Sequence, residues 1–370
     1  MKYKKKAKET VKRTEQKKTA RIKALGLFSG GLDSILASRM MKELGFDVEL
    51  LYFSSPFFNC CKVDGKSKNG NIKFSLEEAA SQLGLKLSIL PKGKDYLEVI
   101  KNARHGYGTG MNPCVDCRIY TFRKAWEYAK KIGAKFIFTG EVLGERPLSQ
   151  TRQALDVIER YSKLDGKIVR PLSGRLLPAT EAERKGWVKR NDLMAISGRG
   201  RQTQMQLADK WHLMYPSPGG GCLLTEKHYG LRLKDLLEHK KDLTDQDIAT
   251  LSIGRHFRSG KGKIIVGRRE DENKMLKKLK QDTELMLECE EGIMGPITLL
   301  QGDNSKIAIQ LAAQLTAYFS DARQEKKKKV KVNVWDKGKD KCCQIIVSPK
   351  FNIEKEMKKG LIWIGQNQQA

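Results

Sequence analysis

Ser29-Gly30-Gly31-Leu32-Asp33-Ser34 is the stretch on which the fold turns. The apolar run before it, Ala24 to Phe28, reads as a buried parallel strand, and Ile35 to Leu44 behind it has helical periodicity. A Gly-rich turn therefore joins a strand to a helix, with Ser29, Asp33 and Ser34 at its mouth. Backbone N–H groups and a helix N-terminus favour an anion at such a turn, and small residues let it come close. No Gly-Lys-Ser/Thr follows, so this is not a Walker A loop. The plainer alternative is a Ser/Gly turn in which Asp33 only caps the helix.

Working outward, strands and helices alternate. Asp47 to Phe53, Leu85 to Leu90, Lys135 to Thr139 and Ile168 to Leu172 read as strands. Phe74 to Leu83 and Arg118 to Ile132 read as helices. This order predicts an α/β fold with a doubly wound parallel sheet. Ligands of such sheets bind beyond the carboxyl ends of the strands, where the Ser29 loop sits. Ala179 to Trp211 is expected to be helical, with Thr180-Glu181-Ala182-Glu183 as its start. After about residue 250 the pattern changes. Lys263 to Gly267, Leu285 to Cys289, Pro296 to Gln301, Val330 to Trp335, Cys343 to Ser348 and Leu361 to Ile364 read as strands, and Ser305 to Tyr318 as a helix. The expected division is a basic extension (1–22), a nucleotide domain (23–175), a mainly helical segment (176–250) and a smaller C-terminal α+β domain (251–370).

The 370 residues carry a formal net charge of +28. A charge that large points to a polyanionic partner, most often nucleic acid. Met1 to Lys23 is dense in Lys and Arg, and a second basic run spans Lys326 to Lys331. No stretch approaches the ~18 apolar residues of a membrane span, and the N-terminus lacks the apolar core of a signal peptide. A cytoplasmic location without a membrane partner is expected. The eight cysteines then suggest metal binding or catalysis rather than disulfides. Cys114 and Cys117 lie in Asn112-Pro113-Cys114-Val115-Asp116-Cys117, just before a helix, where thiolates are favoured. Cys222 follows three glycines, which implies a tight backbone approach. A zinc site completed by His212 or His228 and a two-cysteine persulfide site are both open. Cys60-Cys61 and Cys342-Cys343 are read as incidental, and Cys289 as a small core residue.

The Ser29 to Ser34 segment resembles the SGGxDS signature of the PP-loop ATP pyrophosphatases. The resemblance implies cleavage of ATP between the α and β phosphates, with Mg²⁺, and adenylation of a carbonyl oxygen. It puts Ser29, Gly30, Gly31, Asp33, Ser34, Phe53 and Gly140 on the nucleotide. The Asn112-to-Cys117 loop and Cys222 are similar to the cysteine pair of MnmA-type tRNA 2-thiouridylases. Cys114 stands where many of those have Asp. The three-cysteine set resembles the iron–sulfur tRNA thiolation enzymes of the TtuA group. That implies a 4Fe–4S cluster on Cys114, Cys117 and Cys222, which with Asp33 make the catalytic set. The tail resembles the RNA-binding domain of NFACT proteins, through Gly260-Lys261-Gly262-Lys263 and Ile265-Val266-Gly267-Arg268-Arg269.

Together these resemblances imply an ATP-dependent tRNA sulfurtransferase, making 4-thiouridine at position 8. Its partners would be tRNA and a sulfur donor, either sulfide or a persulfide carrier; the oligomeric state is not specified. The alternatives are 2-thiouridine at position 34, another PP-loop tRNA-modifying ligase, or a non-catalytic metal-containing RNA-binding protein. Arg146 is expected to pair a phosphate, Gln150 to touch nucleotide or uridine, and Arg199 and Arg201 to contact the tRNA backbone. His105 is given no role.

Overall fold

A computed structural model describes residues 21–58, 63–67, 70–217, 221–336 and 341–365. The basic arm before residue 21, Cys60, Cys61 and the glycines 219–220 lie outside the described residues, as does the Cys342 side chain. The chain divides into two units. The first comprises 1–55, 59–105 and 113–220; the second comprises 56–58, 106–112 and 221–370.

In the first unit β1 (Lys23–Leu27) leads through the Ser29 loop into α1 (Leu32–Glu43) and then β2 (Asp47–Ser54). A hairpin, β3 (Val63–Ser67) and β4 (Gly70–Phe74), precedes α2 (Leu76–Ser81), β5 (Lys86–Pro91) and α3 (Asp95–Lys101). There follow α4 (Cys114–Ile132), β6 (Phe136–Thr139), α5 (Arg152–Ser162), β7 (Ile168–Val169), α6 (Glu181–Arg184) and α7 (Gln202–Lys210). The sheet order is β5-β2-β1-β6-β7, every pair parallel. Alternate side chains of the buried strands feed two cores. Ala24, Leu50, Phe136 and Phe138 pack with Ile35 and Met41 of α1. Leu25, Leu51 and Ile137 pack with Ile119, Phe122 and Ala125 of α4 and Ile158 of α5. Helices thus cover both faces, which is the doubly wound arrangement. Strand order reverses at β1, so a crevice opens between the carboxyl ends of β1 and β6.

Two sequence expectations change. The stretch from Ala179 to Trp211 is mostly irregular and holds only two short α-helices, α6 and α7. The Thr180 cap exists, as a capping box with Glu183. Helix α6 ends soon after it, where Gly186 (φ +69°) adopts left-handed backbone, and Gly198 (φ +85°) turns the chain again before α7. The helix expected from Arg118 begins at Cys114, so both cysteines belong to its first turns rather than to the loop before it.

The second unit continues with α8 (Lys227–His239), α9 (Asp245–Thr250), β8 (Arg255–Ser259), β9 (Gly262–Val266), α10 (Glu270–Leu279), β10 (Leu285–Cys289) and β11 (Thr298–Gln301). It closes with α11 (Lys306–Tyr318), β12 (Val330–Trp335), β13 (Lys341–Val347), α12 (Ile353–Met357) and β14 (Ile362–Ile364). Seven strands form an antiparallel sheet, β13-β12-β10-β11-β9-β8-β14. The apolar α11 packs on one face through Leu311, Ala312 and Leu315. Leu276 of α10 packs with Ile265 and Leu299 in a separate core. The basic turn seen in the sequence is the β8–β9 hairpin, with Gly260 at φ +54°. Cys289 is buried in this unit, as a core residue would be.

Candidate active site

The Ser29 loop is held by its own hydroxyls. Ser34 Oγ accepts from the Ser29 N–H (3.3 Å) and donates to the Gly31 carbonyl (2.8 Å). Ser29 Oγ accepts from the Gly31 N–H at 3.4 Å. Gly30 has φ +74°, a conformation that glycine adopts at no steric cost. Gly140, at the end of β6, lies against the start of α1. A Cβ there would stand 2.5 Å from the Asp33 carbonyl and from the Ser34 nitrogen. Only glycine allows that approach, so the end of β6 meets the start of α1 backbone to backbone. Phe53, at the end of β2, is half-buried and packs against the α4-side core.

Asp33 sits in the first turn of α1, with Oδ1 buried and lacking a hydrogen-bond partner. Burial pushes its pKa up; Arg201, Gln204, its own backbone and Arg146 act in the other direction. Glu145 is raised by burial and by the Asp33 charge, against Arg146 and Arg201. Two carboxylates and two guanidiniums therefore converge at the loop. Arg146 is exposed and Arg201 half-buried. Arg199 is exposed. The Gln150 side chain does not face outward. It accepts from the Arg146 N–H (3.2 Å), while the Gln150 backbone N–H donates to the Arg146 carbonyl (3.0 Å), which folds the loop that presents Arg146.

Cys114 and Cys117 are half-buried at the start of α4. Lys92 Nζ lies 3.0 Å and the Tyr96 hydroxyl 3.1 Å from Cys117 Sγ, both as donors. Burial opposes a thiolate there, but Lys92, Tyr96 and Arg118 outweigh it and hold the thiol below its ordinary value. Sequence inspection missed Lys92 and Tyr96, which come from the end of β5 and from α3. It also missed His105, whose N–H and Nδ1 lie 2.9 and 2.8 Å from the Asp116 carboxylate and so brace the turn carrying both cysteines.

The two places are linked through Glu141, the residue after Gly140. Its buried carboxylate pairs with Arg118 (3.1 Å) beside Cys117 and with Arg170 (3.0 Å), which also pairs with Glu159. Cys222 belongs to the second unit, where it bridges to Phe58 and the Leu223 N–H donates to the Phe57 carbonyl (2.9 Å). Among the described residues no three His, Cys, Asp or Glu side chains are grouped as a metal site. Each unit taken by itself supplies at most two of the three thiolates a cluster would need. Thiolates are of the donor kind that an iron–sulfur cluster takes. For magnesium, the unpartnered Asp33 Oδ1 is an oxygen donor of the kind it takes.

Residues 19–176 match the family model for thiamine biosynthesis protein (ThiI). Residues 254–356 match that for the NFACT protein RNA binding domain. One stretch of the chain thus resembles ThiI, and a later stretch resembles the NFACT protein RNA binding domain. The chain is similar to a probable tRNA sulfurtransferase of Thermoanaerobacter sp. (31% identical, over 41% of this chain and 37% of the relative). It is also similar to the tRNA-specific 2-thiouridylase MnmA of Sulfurimonas denitrificans (32%, over 31% and 33%). An uncharacterized protein of Methanocaldococcus jannaschii is 28% identical over 35% of this chain and 43% of its own. The chain thus spans about a third to two-fifths of the length of these relatives. The ThiI match ends before α7, and the NFACT match begins just before β8. No described helix is long and apolar enough to cross a membrane.

Proposed function

We propose that this chain is a cytoplasmic, ATP-dependent tRNA sulfurtransferase that converts a uridine to 4-thiouridine, at position 8. The observation that carries the reading is the Ser29 loop packed against Gly140 at the sheet's switch point, inside the ThiI match. The uridine carbonyl oxygen attacks the α-phosphorus, and the bond to the bridging oxygen breaks, releasing pyrophosphate. A sulfur nucleophile then adds at the activated carbon and AMP leaves with the former carbonyl oxygen. The loop amides and the α1 N-terminus stabilise charge on the transferring phosphoryl group. Asp33 would hold a magnesium ion, which supplies charge neutralisation for the triphosphate. The NFACT-type domain and the basic arm supply the grip on tRNA.

Lys92 and Tyr96 on Cys117 favour a thiolate that would take the outer sulfur of a persulfide carrier, the carrier leaving as its thiol. A second thiol would break the Cys117 S–S bond as that sulfur is delivered. Free sulfide would instead add to the activated carbon directly, without passing through Cys117. The 4Fe–4S reading takes Cys114, Cys117 and Cys222 as the ligands. Anaerobic purification with iron analysis separates the two: about four irons, lost in each Cys→Ala variant, favour the cluster. The activity itself is tested by incubating unmodified tRNA with ATP, Mg²⁺ and sulfide. Pyrophosphate release and 4-thiouridine by nucleoside mass spectrometry are expected. Absence of both, or the same yield from Asp33→Ala, would sink the proposal. 2-Thiouridine in the product would move the target to position 34.

A further inference from the structure

We infer that Arg201 and Gln204, carried by a segment beyond the ThiI match, join Arg146 to form the polyphosphate subsite of the Ser29 loop. The inference rests on the ATP chemistry proposed above and names the residues that would take the phosphates leaving as pyrophosphate.

Three observations place them. Residues 194–198 run alongside the end of the sheet. The N–H groups of Met194 and Ile196 donate to the carbonyls of Pro171 (2.8 Å) and Leu172 (2.9 Å), and that of Gly198 donates to Leu143 (2.7 Å). Ser173, fully buried, ties both sides by accepting from the Leu143 N–H (3.0 Å) and donating to the Ile196 carbonyl (2.6 Å). Leu143 is three residues from Arg146, so one set of hydrogen bonds fixes both arginine-bearing loops.

Gly198 then turns the chain into α7, whose Leu207 and Ala208, with Trp211 just beyond its end, pack with Leu32, Leu36 and Met40 of α1. That packing brings Arg201 and Gln204 to Asp33. Gln204 is 0% exposed, yet neither its amide oxygen nor its nitrogen has a hydrogen-bond partner. Asp33 Oδ1 and Arg201 Nε are likewise buried without partners. Buried polar atoms are almost always satisfied, so a group of unsatisfied ones around a phosphate-type loop marks a place completed by a ligand.

The charges define that ligand. Two guanidiniums suit phosphate oxygens, which they engage in fork geometry. Asp33 and Glu145 would repel a bare polyphosphate, so the fitting species carries a divalent cation. Arg201 is thereby drawn from the tRNA backbone to the nucleotide, while exposed Arg199 stays available to RNA.

Calorimetric titration of the full chain with Mg-ATP, Mg-pyrophosphate and AMP, without tRNA, tests this. Arg201→Ala and Arg146→Ala should each weaken Mg-ATP and Mg-pyrophosphate at least about tenfold, the scale of one charged contact. AMP affinity should change by less than about twofold on the same scale. Arg201→Lys should recover part of the loss, and Gln204→Leu should weaken Mg-ATP less than Arg201→Ala does. Unchanged Mg-ATP binding in the arginine variants overturns the inference, as does an equal loss for AMP. Loss of tRNA binding by Arg201→Ala with Mg-ATP intact would return Arg201 to the RNA surface. Wild-type protein that binds neither Mg-ATP nor AMP would remove the proposed function itself, a separate result.

Discussion

The mouth of the Ser29 loop and the first turns of α4 are both charged and partly buried, yet they are finished to different degrees. Around Cys117 the donors are in place, with Lys92 and Tyr96 on the sulfur at hydrogen-bond distance. Around Asp33 the opposite holds, since Asp33 Oδ1, Arg201 Nε and both Gln204 amide atoms are buried without partners. The first arrangement stabilises a charge the protein itself carries. The second stays incomplete until a ligand with phosphate oxygens and a cation arrives. Glu141 ties the two rigidly through Arg118, so each can be altered while the other reports whether the frame has survived.

The largest effect should come from the incomplete site. Asp33→Asn is expected to lower tRNA-dependent pyrophosphate release by at least about a hundredfold, the scale for losing a group that organises transition-state charge. Near-normal release would break the contrast, because Asp33 would then be only a helix cap. Gly140→Ala comes next. Its Cβ would collide with the Asp33 and Ser34 backbone, so an overpacking loss of about 1–3 kcal/mol is expected, together with a raised KM for ATP. Denaturant titration measures the first and steady-state kinetics the second.

At the finished site, Lys92→Met should move the pH midpoint of Cys117 alkylation upward, since the ammonium now favours the thiolate. Mg-ATP affinity should stay the same. A midpoint that does not move would show that Lys92 has no hold on the thiol.

A smaller effect separates the sites by stability. Burial raises the folded-state pKa of Asp33 above its unfolded value, so the folded state binds the proton more tightly. The ionised form therefore costs stability at pH values above the folded pKa, and the cost fades as pH falls through it. Asp33→Asn should melt higher than wild type at neutral pH without nucleotide, with the gap narrowing in acid. An equal or lower melting temperature at neutral pH would mean that Arg146 and Arg201 already compensate the carboxylate fully. Deleting residues 1–20 should mainly flatten the salt dependence of tRNA binding and leave Mg-ATP binding unchanged.

What the sequence by itself determined is what local pattern encodes. The strand, Gly turn and helix around Ser29 follow from an apolar run, small residues and periodicity within about twenty positions. The tail strands were legible for the same reason, with Leu285–Cys289 and Val330–Trp335 matching residue for residue. Strand β8 was missed because Arg255-His256-Phe257-Arg258-Ser259 hides its burial behind charge; Arg258 goes inside only because Asp235 meets it there at 2.6 Å. The stretch from 179 to 211 looked helical because its propensities are. Its glycines and its backbone bonds to 143, 171 and 172 override them. Only the tertiary structure decided that Arg201 and Gln204 reach Asp33, more than 160 positions away, and that Lys92 and Tyr96 reach Cys117. Contacts of that kind come from the packing of α7 on α1 and of α3 beside α4. A charge in a one-dimensional chain carries no mark of which buried partner it will meet.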